Sequence, residues 1–152
     1  GKRKHNIVNS LYLEPDLLEK TVRERYERYA EVEKNEQRCE EFMVDDADIV
    51  LVAYGASSRI CRSAVVAARE QGIKAGLIRP ITVWPFPNDA IVRAASHAKA
   101  FLSVEMSMGQ MVDDVKLALN GSTPVYFYGR TGGMIPSPAE VLDEIKKIQE
   151  GK

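Results

Sequence analysis

Asp48-Ile-Val-Leu-Val-Ala-Tyr54 runs directly into Gly55-Ala56-Ser57-Ser58, and Ile60, Ala64, Val65, Ala67 and Ala68 follow at helical spacing before Gly72. An unbroken apolar run of strand length marks a strand buried on both faces, as in a parallel sheet. The Gly-Ala-Ser-Ser segment reads as a turn, with Ser57 or Ser58 placed to cap a helix over residues 59–71 that Gly72 ends. This strand–turn–helix unit decides the fold class, because parallel strands need helical crossovers that cover both faces of the sheet.

The same rhythm recurs downstream. Strands are expected over 74–79, 100–105 and 124–128, and helices over 87–96, 110–119 and 138–148. Asn88 is a candidate cap for the first of these helices, Asn120-Gly121 stops the second, and Ser137 caps the third. The reading is an α/β domain over 47–152. Upstream, Leu18, Val22, Tyr26, Tyr29 and Val32 recur at steps of three and four within a charged stretch. That spacing predicts one long amphipathic helix over 15–43, with Pro15 in its first turn. Glu19/Arg23, Arg23/Glu27 and Glu24/Arg28 are opposite charges four apart on its exposed face. Two roles stay open for it: lying across its own domain, or joining another domain. Residues 15–46 thus form a charged connector and 1–14 a linker. The start at Gly1-Lys2-Arg3-Lys4-His5, without Met, gives the expectation of a fragment of a longer protein.

Composition narrows the function classes. Hydrophobic residues are 45% and charged residues 28% of the 152, enough for a packed core. The 21 basic and 22 acidic residues leave no cationic surplus for phosphate neutralisation, which argues against nucleic acid as the main partner. No apolar run approaches membrane-spanning length and no signal peptide is visible, so the expected location is cytoplasmic. Cys39 and Cys61 are too few for a disulfide framework or an iron–sulfur cluster, and with His5 and His97 apart in sequence no metal site is expected.

In an open α/β sheet ligands gather beyond the carboxyl ends of the strands, so four loops deserve weighing. Gly55, Ser57 and Ser58 form a weak anion-site candidate at a helix start, since one glycine makes no dinucleotide fingerprint. Arg79-Pro-Ile-Thr-Val-Trp-Pro-Phe-Pro87 is stiffened by three prolines and carries the sole tryptophan, Trp84. It suits a subunit contact or pocket wall, or a plug over the sheet end. Glu105-Met-Ser-Met-Gly-Gln-Met111 combines an adaptable methionine surface, including Met108, with Glu105 and Gln110. Glu105 lacks a neighbouring acid–base partner in this reading, which favours a structural or interface role over catalysis. Gly129-Arg-Thr-Gly-Gly133 offers Arg130 either as a clamp for phosphate or carboxylate or as an internal ion-pair partner. No nucleophile beside a base, no metal cluster and no dinucleotide fingerprint is found, so no catalytic residue is assigned.

Taken together, Arg79-Pro-Ile-Thr-Val-Trp-Pro-Phe-Pro87, Val104-Glu-Met-Ser-Met-Gly-Gln-Met111 and Gly129-Arg-Thr-Gly-Gly133 resemble the C-terminal domain of the alpha subunit of 2-oxoacid:ferredoxin oxidoreductases, above all the 2-oxoisovalerate (branched-chain) branch. His5-Asn-Ile-Val-Asn-Ser-Leu-Tyr-Leu13 and the charged helix resemble the segment that joins this domain to the subunit's pyrimidine-binding domain. The resemblance implies a three-layer αβα sandwich around a mixed, mostly parallel sheet, similar to the transketolase C-terminal domain. It implies a parent enzyme that oxidatively decarboxylates 2-oxoacids to acyl-CoA using thiamine diphosphate, iron–sulfur clusters and CoA, with ferredoxin as electron acceptor. It places none of these cofactors and no catalytic residue on this chain. Arg79, Trp84, Glu105, Met108, Gln110 and Arg130 are then rim or interface candidates, and the partners are the other subunits and domains. Two alternatives are a free-standing domain that binds a phosphorylated small molecule or nucleotide, and the matching domain of another thiamine enzyme.

Overall fold

A computed structural model describes residues 11–151. The chain divides into two compact units, one ending at Asn35 and one beginning at Glu36. The first contains helix α1 (Pro15–Asn35), in which no residue is buried. One of its expected charge pairs is present, Arg23 Nη2 to Glu19 Oε1 at 2.6 Å. Residues 1–10 of the expected linker lie outside the described residues.

The helix expected to reach residue 43 stops at Asn35, and Cys39–Phe42 forms a strand, β1, instead. Glu40 and Glu41 are weak strand formers, but the tertiary environment overrides that preference. β1 lies antiparallel on β3 (Ala75–Pro80), with Glu40 opposite Arg79 and Phe42 opposite Leu77. Glu40 pairs with Arg79 at 2.8 Å, and Glu41 pairs with Arg93 at 2.7 Å. Two carboxylates on successive residues thus point to opposite faces, and each meets a guanidinium. A charged edge strand also discourages further edge pairing.

The remaining strands, β2 (Ile49–Val52), β3, β4 (Ala100–Glu105) and β5 (Val125–Gly129), run parallel to their neighbours. The sheet order is β1-β3-β2-β4-β5. The fold is therefore the expected mixed, mostly parallel α/β sheet, with one strand more than the sequence pattern suggested. Alternation along β2 divides the core. Val50 and Val52 pack with Ile78, Phe101, Ile91 from α3 (Asn88–Ala95) and Val115 from α4 (Met111–Leu119). Ile49 and Leu51 pack with Val65, Leu102, Val141 and Ile145 from α2 (Gly55–Glu70) and α5 (Pro138–Gln149). This is the three-layer αβα sandwich.

Two expected caps are corrected. α2 starts at Gly55, which takes the positive φ of 58°, so Ser57 and Ser58 lie buried within the first turn rather than capping it. The Ser58 hydroxyl donates to the Gly55 carbonyl at 2.7 Å. Asn88 is the first residue of α3, whose cap position is Pro87 and carries no side-chain cap bond. The Ser137 cap is present as a reciprocal box: Glu140 N–H donates to Ser137 Oγ at 3.2 Å, and Ser137 N–H donates to Glu140 Oε2 at 2.7 Å. Ser137→Ala removes one half of that box and is expected to cost about 1 kcal/mol in urea unfolding.

Candidate functional site

The chain crosses from β2 to β3 on one side of β2 and later places β4 on its other side. The crevice between the ends of β2 and β4 is therefore the topological switch point, where α/β sheets hold ligands. Here it encloses only about 130 Å³, between Tyr54–Ser57 and Val104–Ser107. Ligand pockets usually run from roughly 300 to 1,000 Å³.

The reason lies in Glu105, the last residue of β4. It is buried, and its carboxylate accepts from Gln110 N–H at 2.9 Å, Met111 N–H at 3.1 Å and Val112 N–H at 2.8 Å. Ser107 Oγ at 2.8 Å and Ser103 Oγ at 3.1 Å also donate to it. These backbone donors are the otherwise unpaired N–H groups of the α4 N-terminus. An internal carboxylate thus takes up the donors with which a helix N-terminus commonly binds an anion. Burial alone pushes its carboxyl up, but the Gln110, Ser107, Val112 and Met111 donors outweigh that and hold its pKa below the ordinary value. An ionised, five-fold satisfied carboxylate is a poor proton acceptor. It fastens strand to helix, and no acid–base role is assigned to it.

The other rim residues fall into two groups. On the loop that Glu105 organises, Gln110 takes the cap position of α4 and Met108 is 83% exposed. Arg130 follows β5, and its N–H donates to the Glu105 carbonyl at 3.1 Å. Its guanidinium reaches Glu140 at 3.4 Å, the internal pairing that the sequence left open, while its Nε is buried without a partner among the described residues. Trp84, 53% exposed, stands on the proline-rich loop with exposed Ile81 and Val83, while Phe86 is buried beneath. Phe86 thus plugs the end of the sheet, while Trp84 stays at the surface.

Arg79 does not join this loop surface. It turns to a separate groove of about 510 Å³ beside β1, which Gly55 and Ser58 also line. The groove contains residues the sequence reading passed over: Glu40, Phe42, Arg59 and Arg62. Arg59 and Arg62 are three apart on one face of α2, which is a readable signal, but only the unexpected strand β1 makes a wall opposite them. Among the described residues no group of His, Cys, Asp and Glu is arranged to hold a metal ion. Burial pushes the Cys61 thiol up to about 12, so it stays protonated and is no nucleophile. No described helix is long and apolar enough to cross a membrane.

The fold is a three-layer α/β sandwich whose switch-point crevice is narrowed to about 130 Å³ beside the bonded Glu105 carboxylate. Residues 47–141 match the family model "Pyruvate:ferredoxin oxidoreductase core domain II". The chain belongs to that family. It is 48% identical over 143 residues, 94% of its length, to ketoisovalerate oxidoreductase subunit VorB of Methanothermobacter thermautotrophicus, of which it covers 40%. It is 43% identical over 101 residues to 2-oxoglutarate synthase subunit KorA of Methanothermobacter marburgensis, covering 66% of this chain and 27% of that one. Among solved structures, the 2-oxoglutarate:ferredoxin oxidoreductase from Magnetococcus marinus matches 90% of this chain and 24% of its own with a TM-score of 0.72 at 19% identity. A split-gene transketolase matches 72% of this chain and 40% of its own at TM-score 0.62 and 18% identity. These two show the shared fold. The chain spans about 40% of the length of the ketoisovalerate oxidoreductase subunits it matches.

Proposed function

We propose that this chain is the C-terminal assembly domain of the alpha subunit of a 2-oxoacid:ferredoxin oxidoreductase, with 2-oxoisovalerate as the preferred 2-oxoacid. The observation that carries the reading is the 48% identity to a ketoisovalerate oxidoreductase subunit across 94% of the chain. The complete enzyme decarboxylates its substrate on thiamine diphosphate and passes electrons through iron–sulfur clusters to ferredoxin, forming an acyl-CoA. The switch-point crevice does not fit the thiamine cofactor: it is too small, and the carboxylate beside it is already saturated by donors. The cofactor chemistry therefore belongs to other parts of the enzyme, and residues 15–35 serve as the connector to them.

Assembly is the role the rim supports. Exposed Ile81, Val83 and Trp84 on one loop, and Met106 and Met108 on the next, offer aromatic and adaptable apolar side chains on anchored backbones. Mixing the 152-residue chain with the remaining subunits is expected to give co-elution on gel filtration. Trp84→Ala is expected to weaken that association by about 2 kcal/mol, roughly 30-fold. Ser122→Ala, on an exposed turn before β5, serves as the unaffected control. A well-folded chain that does not associate overturns the proposal.

A further inference from the structure

A groove with three arginines in its lining lies beside β1. We propose that it binds a phosphate-bearing small molecule, held by Arg59 and Arg62 with Arg79 as a third, partly neutralised contact. Three guanidinium groups line the groove against a single carboxylate, Glu40, leaving two net positive charges. Glu40 is committed to Arg79 at 2.8 Å. Arg62 Cζ lies 4.0 Å from the centroid of the Phe42 ring, a cation–π contact that places its guanidinium at the groove wall. Neither Arg59 nor Arg62 makes an ion pair among the described residues. Unneutralised like charges in one concavity repel, and an anion of about two charges removes that repulsion while accepting several N–H groups.

Size and lining agree with a small ligand. The volume of about 510 Å³ sits within the usual range for small-molecule sites. Phe42 and Leu77 give the groove an apolar wall beside its cationic one. Gly55 and Ser58, the residues first singled out for an anion, contribute its edge rather than its charge.

The test is calorimetric titration of the 152-residue chain at constant ionic strength with inorganic pyrophosphate, ADP and succinate. Saturable one-to-one binding of pyrophosphate is expected, with succinate weaker. ADP binding at least as tight would extend the ligand to nucleotides and supports the proposal. Arg59→Ala and Arg62→Ala are each expected to weaken binding about tenfold, with circular dichroism unchanged. Arg93→Ala, whose guanidinium pairs with Glu41 on the opposite face, is expected to leave it unchanged. Absence of saturable phosphate binding overturns the proposal, as does equal binding of succinate. An equal loss in the Arg93 variant overturns it as well, since that would be general charge attraction.

Discussion

Glu105→Ala is expected to lower the unfolding free energy by about 4 kcal/mol, roughly a 10 °C drop in Tm. The substitution strands three N–H groups at the start of α4 and removes the acceptor for two serine hydroxyls. Buried donors left unpaired cost on the order of 1–3 kcal/mol each, less where water enters the vacated space. Glu105→Gln retains one acceptor oxygen but turns an N–H₂ toward other donors, so about half the loss is expected. The pH dependence separates a charge effect from a packing effect. The native carboxyl lies below its ordinary value. Its stabilisation is therefore complete above the unfolded carboxyl pKa of about 4.3 and disappears as pH falls through the lower native value. Urea unfolding of wild type and Glu105→Gln should converge as pH drops below about 4. A gap that stays constant from neutral pH into that region would refute the ionised anchor.

Gly76→Ala is the second large effect, at about 3 kcal/mol. A Cβ at Gly76 would sit 2.5 Å from the Met43 carbonyl oxygen and 3.0 Å from Ala47 Cβ. The Met43 turn, at φ 53°, cannot retreat easily. Its carbonyl accepts from Arg69 Nη2 at 2.8 Å, and Arg69 is itself tied to Asp46 at 2.7 Å and to the Ala75 carbonyl at 2.7 Å. The clash is thus with a backbone carbonyl held by Arg69, a side chain itself fixed at two further points. Urea unfolding measures the loss, and hydrogen exchange should show β1 losing protection ahead of β2 and β4. A variant within about 0.5 kcal/mol of wild type would mean the turn is not seated as described.

β2 and β4 were legible because residues 49–52 and 100–105 are buried on both faces, so hydrophobicity alone reports them. The helix opened by Ser137 was legible because its cap and Glu140 are local in sequence. β1 was not legible, since Glu40 and Glu41 become tolerable in a strand only through Arg79 and Arg93, distant in sequence. The groove inherits that blindness: Arg59 and Arg62 read as an ordinary solvated helix face until β1 supplies the opposite wall. A structural or interface role for Glu105 was favoured by the sequence, but its partners were hidden for another reason. Its partners lie five to seven residues downstream, beyond the spacing of a capping box.

The chain leaving α1 is stitched to the tryptophan loop before it becomes β1. The Arg38 carbonyl accepts from Ile81 N–H at 2.9 Å and from Thr82 N–H at 3.2 Å, and Arg38 N–H donates to Thr82 Oγ1 at 3.0 Å. Thr82 Oγ1 in turn donates to the Pro85 carbonyl at 2.9 Å, one residue beyond Trp84. With Asp89 N–H donating to Gln37 Oε1 at 3.4 Å, residues 37 and 38 are thus fixed to α3 and to the loop before the β1 ladder begins. A displacement of the backbone at Arg38 is therefore passed directly to the loop that carries Trp84.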